Sequence, residues 1–512
     1  MLYLCTLKKY DRLFSENSFT TKQLLTSLIP IKTMKKLISM TMLVLLAMLA
    51  MTGCKKSFTI TVQSNNEAWG TVTGGGIYAK GETITISAIP APGYYFISWN
   101  DGDNTNPRQV VVNGNATYIA TFSDTPGGGG TEGALEVSGS INANTTWPDR
   151  GVAVDYIIDG HFYVEGNALL TIEPGVTIMF TGVDGAIFVE ENAGLRMVGT
   201  AEKPIILTGP TNNPNKGAWN TVYVQSNRAD NQFEYVKFIN GGSNEADVVY
   251  VGGKISMKHC TIDGALGNGI CVSGSLSAFE NNTIKNVDKF PVWLNDHNMV
   301  NSLGSGNNYT NNGKNMICLS AYYLDNTNNV PVTFSKQGIP YYVSQGIHLD
   351  ESEDKMLVNA GAEFVFAYEA GLRISEVSLL QVNGTSNDPV IFRGEQNESG
   401  YWSGIEIYSS RTTEGGNKLI NCQIKNAGQH DGAALLTQEE TTLSINNVSI
   451  SGSNGYGMIV TIPVDWDTEQ YDFSNYHVSA TALTFNSCAQ GNIYETNKDQ
   501  VYNGIPGAKR KK

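Results

Sequence analysis

The sequence predicts an all-β chain: a small β-rich repeat module followed by a long solenoid. Three observations carry that prediction. Charged residues make up 16% of the 512, against about 25% in ordinary globular chains, while Gly numbers 54 and Asn 50. Gly and Asn tolerate the left-handed backbone of tight turns, so the polar surface is built from turn formers rather than from Lys and Glu. Short runs alternate apolar and polar residues with period two, and helical periodicity is almost absent. Beyond residue 135 the chain repeats itself on two scales. This composition excludes a highly charged disordered chain and a polytopic membrane protein, and it fits a helical enzyme poorly.

The N-terminus predicts export. Met34-Lys35-Lys36 heads the apolar run Leu37 to Ala50, which is followed by Met51-Thr52-Gly53-Cys54. A basic start, a short apolar segment and a small-residue site make a secretory signal peptide (34–53), too short for a comfortable membrane span. The Cys after Thr52-Gly53 resembles a bacterial lipoprotein lipobox, with Met51 where that family prefers Leu. The resemblance implies lipidation of Cys54 and an outer-membrane lipoprotein facing the cell surface or the periplasm. Residues 1–33 read as a gene-model extension ahead of a better start at Met34. Chain beginning at Cys54 carries 27 basic and 46 acidic residues, a net charge of −19. That balance disfavours nucleic acid, and the tail Lys509-Arg510-Lys511-Lys512 is too short for a binding stripe. Cys260, Cys271, Cys318, Cys422 and Cys488 are odd in number and lack C-x-x-C spacing, so they read as buried thiols rather than zinc ligands or disulfides.

Residues 57–123 form the first module. Phe58, Ile60 and Val62 alternate with polar residues, as do Ile84 and Ile86, and Gly74-Gly75-Gly76, Pro92-Gly93 and Asn113-Gly114 supply turns. Tyr94, Tyr95, Phe96 and Trp99 read as core, because a small module needs large aromatics to bury enough area. Asp101-Gly102-Asp103-Asn104 lacks the later Gly and Glu of a calcium loop and reads as a hairpin turn. The order Gly70-Thr71-Val72, Tyr78, Gly81-Glu82-Thr83, Pro92-Gly93-Tyr94, Phe96 and Trp99 resembles the divergent internalin-type B-repeat of bacterial surface proteins. That resemblance implies a spacer or adhesion element. Residues 124–134, with Gly127 to Gly130, form a flexible Gly-rich linker.

The rest, 135–505, repeats coarsely at about 185 residues. Gly199-Thr200 to Pro204-Ile205-Ile206 returns as Gly384-Thr385 to Pro389-Val390-Ile391, and Ile172, Gly175 and Phe180 return as Val358, Gly361 and Phe366. Trp219 returns as Trp402, which predicts two halves of one plan, 135–325 and 326–505, with both Trp in structural positions. A finer period of 22 to 26 aligns Phe238, Ile262 and Ile284, with further apolar runs at Val248 to Val251, Gly269 to Val272 and Pro291 to Leu294. Cys422 to Asn426 and Val448 to Gly452 continue it. Such self-similarity predicts stacked β rungs. Stacking explains the low charge, since like charges repel from rung to rung while Asn ladders hydrogen-bond.

Leu169 to Phe180, Val198 to Leu207 and Trp219 to Val224 resemble the right-handed parallel β-helix proteins of the pectate-lyase-like superfamily, in an uncharacterised envelope class. The resemblance implies about 15 rungs and a length of roughly 70 Å at the usual strand spacing. A β-propeller is the alternative fold.

No catalytic set is legible, and the catalytic residues stay unknown. Glycoside hydrolysis needs an acid/base pair and a lyase needs a base beside a group that neutralises the uronate. Gln429-His430-Asp431-Gly432 stands alone. His161, His259, His297, His348 and His477 are scattered, and Asp350-Glu351-Ser352-Glu353-Asp354 reads as a solvated turn. No metal site or cofactor is expected. Trp147 and Trp293 join Trp219 and Trp402 as possible sugar-stacking faces. The expectation is a lipid-anchored envelope protein, non-catalytic, that presents the β-helix for binding glycan or another surface polymer, for adhesion or as a spacer. The alternative is a polysaccharide lyase or glycoside hydrolase.

Overall fold

A computed structural model describes residues 56–510, apart from 93, 102, 104, 124–132, 211–212, 214, 351–352, 430–431, 439–440, 462–463, 466–469, 472–476 and 497–507. Residues 1–33, the signal segment, Cys54, most of the Gly-rich linker, His430-Asp431, Glu351-Ser352 and Lys511-Lys512 lie outside the described residues. The chain forms two compact units that meet in sequence at Phe122 and Ser123, with Pro92–Tyr95 grouped with the second.

In the first unit Ser57–Ser64 pairs antiparallel with Gly76–Ala79 and parallel with Ala116–Ser123. A second sheet joins Gly70–Thr73, Thr83–Pro90 and Arg108–Val111, all antiparallel. The alternation seen in sequence aims Ile60, Ile84 and Ile86 into a core shared with Trp99 and Phe122. Trp99 is fully buried and its indole N–H donates to the Thr105 carbonyl at 3.0 Å. Asp101 and Asp103 both pair with Arg108, at 2.8 and 3.0 Å. Their carboxylates close a turn.

The second unit is a stack of parallel rungs. One register column passes from Ser140 through Tyr163, Phe188, Tyr223 and Tyr250, and continues to Asn486, fourteen strands in all. Thirteen steps of about 4.8 Å make it roughly 60 Å long. Phe238, Ile262 and Ile284 sit directly in register, and unbroken parallel pairing excludes a propeller. The repeat is less regular than 22 to 26. Phe188 to Tyr223 and Ser451 to Asn486 are each 35 residues apart and still pair in register.

The coarse repeat is physical. Trp219 and Trp402 are fully buried. Trp219 stacks on Phe180 at 4.6 Å and 12°, and Trp402 stacks on Phe366 at 4.1 Å and 11°. Their indoles donate to the Ile239 and Lys425 carbonyls, both at 2.7 Å. Gly175 and Gly361 turn with φ of +95 and +75, and each lies beside a Lys–Asp pair, Lys203–Asp149 and Lys336–Asp388.

Asn does two jobs. Ten of the nineteen non-Gly residues at positive φ among the described residues are Asn, as the left-handed preference requires. Buried Asn231, Asn282 and Asn417 accept the backbone N–H of Leu195, Cys260 and Leu380 at 2.9, 2.9 and 2.7 Å. They satisfy corner groups that would otherwise be stranded in the interior. Cys260, Cys271, Cys318 and Cys422 are buried and free, while Cys488 is half-buried. Burial pushes the Cys260 and Cys422 thiols up to about 12, so they remain protonated fillers.

One face of the stack is paired along its full length, a second is paired up to Asn308–Thr310 and again from Val332–Phe334, and the third changes hands. It begins as six strands ending at Ser275–Glu280 and resumes as a seven-stranded sheet starting at Ile347–Leu349. Between them lie a 3₁₀ turn, His297–Ser302, and an irregular stretch around Tyr322 and Tyr323. The candidate site lies where this second sheet starts.

Candidate functional site

The second sheet is laid down by one short pattern used three times: Gly346-Ile347-His348-Leu349, Gly371-Leu372-Arg373-Ile374 and Gly404-Ile405-Glu406-Ile407. Ile347, Leu372 and Ile405 point inward in register, as do Leu349, Ile374 and Ile407. The alternate residues therefore point outward. The outward rows are Gly346, Gly371 and Gly404 beside His348, Arg373 and Glu406. Three successive rungs without side chains leave a trough, and three polar side chains wall it. Gly404 has to be glycine: a Cβ there, at φ +111, would lie 2.6 Å from the Ala433 carbonyl oxygen. The cavity measures about 430 Å³, with Tyr322, Tyr368 and Glu369 among its other lining residues.

Aromatic rings border this trough. Among the described residues the exposed aromatics are Tyr322, Tyr323 and Tyr368, at 38%, 52% and 60%. Tyr322 lies on the His348 ring at 4.0 Å, and Tyr323 stands edge-on to both. Tyr323 is tied to the core from beneath. His297, fully buried, meets the Tyr323 carbonyl through Nδ1 at 3.1 Å. A carbonyl only accepts, so Nδ1 carries the proton and Nε2 is left bare, without a partner. Burial lowers the His297 value to about 4.

The electrostatics of the trough are differentiated. His348 is held below its usual range, first by burial and then by the Arg373 charge, so it is a neutral imidazole at pH 7. The Arg373 guanidinium lies over the Tyr408 ring at 4.5 Å, and Tyr408 donates to Glu406 at 2.7 Å. Burial and that carboxylate push the Tyr408 phenol up to about 12, so it stays a donor. Neutral His348, cationic Arg373 and the carboxylates of Glu369 and Glu406 thus share one depression. It offers an acceptor, a charged donor fork and aromatic surface, the mixture found in small-ligand sites.

The other candidates fare differently. His348 is joined by Arg373 and Glu406 rather than by another histidine. His161, His259 and His477 stay outside the trough, and His161 and His259 instead contact Phe188 and Tyr235. The acidic run is not wholly solvated: Asp354 is buried and accepts the Asn326 N–H at 2.8 Å. Trp147 is buried against Tyr156 at 4.6 Å, and Trp293 is half-buried with its N–H on Asn295 at 2.7 Å. Trp147 therefore offers no free stacking face, and Trp293 lies outside the trough. The threefold Gly-apolar-X-apolar pattern was the available signal for the trough. Its spacings of 25 and 33 residues hide it from a search at fixed period.

Residues 60–126 match the divergent InlB B-repeat domain, and residues 139–259 match the pectate-lyase-like beta helix domain. The trough lies beyond both matched segments. No curated protein matches the chain. One solved structure, the catalytic domain of the GH87 alpha-1,3-glucanase D1069A variant in complex with nigerose, is similar at 10% identity and a TM-score of 0.20. That alignment covers 90% of this chain and 87% of the other, and at such a score it carries no argument about the site.

Proposed function

We propose that this chain is a lipid-anchored cell-envelope protein whose parallel β-helix binds carbohydrate in the trough of His348, Arg373 and Glu406. One observation carries the reading: two of the three exposed aromatics of the described residues, Tyr322 and Tyr368, line a glycine-floored groove whose walls are polar. A sugar has apolar C–H faces and a rim of hydroxyls, and aromatic rings beside a few fixed donors and acceptors complement both. The pectate-lyase-like match supports a carbohydrate role, and the lipobox-like Met51-Thr52-Gly53-Cys54 supports the anchor. Labelling cells with a radioactive fatty acid, for the chain and for Cys54→Ala, tests the anchor. Label that persists in the variant removes it.

A second reading, cleavage of the bound polymer, is favoured by neutral His348 lying beside Arg373. A lyase needs such a base next to a cation that neutralises a carboxylate, while a hydrolase would draw on Glu369 and Glu406. A glycan array with the detergent-solubilised full chain, followed by mass analysis of what elutes, separates the readings. Intact ligand supports recognition. Shortened ligand, or an unsaturated product absorbing in the ultraviolet, makes the protein an enzyme.

A further inference from the structure

The groove does not end at Tyr368. On the far side of that ring lies a second cavity of about 320 Å³, lined by Glu398, Ser399, Gly400, Tyr401, Gln429 and Asn454. Tyr368 lines both cavities and stands edge-on to Tyr401 at 5.7 Å and 74°. The next residue, Glu369, has φ +64, a left-handed conformation that L side chains rarely adopt and that turns the chain beneath the exposed ring. Glu369 faces the first cavity and accepts from Gln429 Nε2 of the second at 3.4 Å, which links the two floors. The other oxygen-bearing end of that carboxamide, Gln429 Oε1, is buried without a hydrogen-bond donor. Such an acceptor is costly to leave unsatisfied. The wall of the second cavity is set by Gly400 at φ +71, where a Cβ would lie 2.5 Å from the Asn454 Cβ.

We infer that the two cavities are successive subsites of one cleft, with Tyr368 as the partition against which two linked sugar residues pack. The preferred ligand is then an oligosaccharide of at least two units rather than a monosaccharide. This rests on the carbohydrate reading above. Each cavity reaches the lower part of the roughly 300–1,000 Å³ range of ligand sites, and their chemistry differs. The first holds His348, Arg373, Glu369 and Glu406, whereas the second offers neutral groups and Glu398. The unit in the second subsite is therefore read through hydroxyls, and the one in the first meets both charges.

The test uses the detergent-solubilised full chain and a fluorescent size ladder of one to six units, from hydrolysed cellulose, mannan and polygalacturonate. The inference expects affinity to rise about tenfold or more from monomer to dimer. Asn454→Trp, which fills the second cavity from an exposed position, should remove that gain. Gln429→Ala, which removes a lining group without adding bulk, should reduce the gain and keeps the test open should the larger side chain perturb folding. Monomers binding as tightly as dimers, or a dimer gain that survives both variants, overturns the two-subsite inference and leaves the carbohydrate reading intact. No ladder member binding overturns both.

Discussion

Two groups of aromatic side chains on this β-helix look alike in sequence and behave differently. Tyr163, Phe188, Tyr223 and Tyr250 follow one another on consecutive rungs, all half-buried on an outer face. Tyr223 and Tyr250 stack at 4.5 Å and 3°, and Tyr163 and Phe188 at 5.2 Å and 18°. Much of their ring surface is covered by a neighbour in the column, although Phe188 and Tyr223 meet at a tilt of 46°. Tyr368 instead stands on a turn, and Tyr322 and Tyr323 sit at the ragged start of the second sheet, where Tyr323 bridges to His348; all three remain exposed. In a parallel stack, aromatics in register become structural cement. Those on a turn or at the start of a sheet keep exposed surface for a ligand. Aromatic content by itself therefore does not mark a glycan site in this architecture.

The largest expected effect lies under both groups. Trp219→Ala and Trp402→Ala each remove a fully buried, stacked and hydrogen-bonded indole. Each should lower stability by about 3–5 kcal/mol, read as the shift in denaturant midpoint. Unequal losses, with one near zero, would show that the two halves are not built alike.

Next comes the pH dependence set by His297. Its folded value is about 4 against an ordinary 6.5. Below pH 6.5 the unfolded chain takes up a proton that the folded chain refuses until about pH 4, so stability falls as pH drops through that window. The loss reaches roughly 3 kcal/mol. Thermal melts between pH 4 and 7 should show this limb, and His297→Gln should flatten it. A limb unchanged in the variant would place the titration elsewhere.

Gly404→Ala should cost roughly 2 kcal/mol, since alanine at φ +111 is strained and its Cβ meets backbone oxygen. It should also close the trough, so binding falls with stability. Tyr223→Ala should cost only about 1 kcal/mol, the worth of one half-buried stacked ring, and leave binding unchanged. Lost binding in that variant would move the ligand onto the aromatic column.

The rungs were legible because inward positions repeat as apolar residues whatever the loops do, as Phe238, Ile262 and Ile284 show. The trough was not. His348, Arg373 and Glu406 are three different residue types at unequal spacing, and only their registered pairing makes them neighbours. His297 reads as one more histidine until the fold sets it under Tyr323. Asp354 reads as part of a charged run until the chain folds it against the Asn326 N–H. Repetition reveals what a solenoid shares between rungs. A binding site depends on what differs between them.

The most direct test measures retention of array-positive glycan by the full chain and by two double variants, Tyr322→Ala/Tyr368→Ala and Tyr163→Ala/Tyr223→Ala. The account predicts that the first pair loses binding about tenfold or more with little change in stability. The second pair should lose stability and keep binding. The reverse pattern would contradict the assignment of the site.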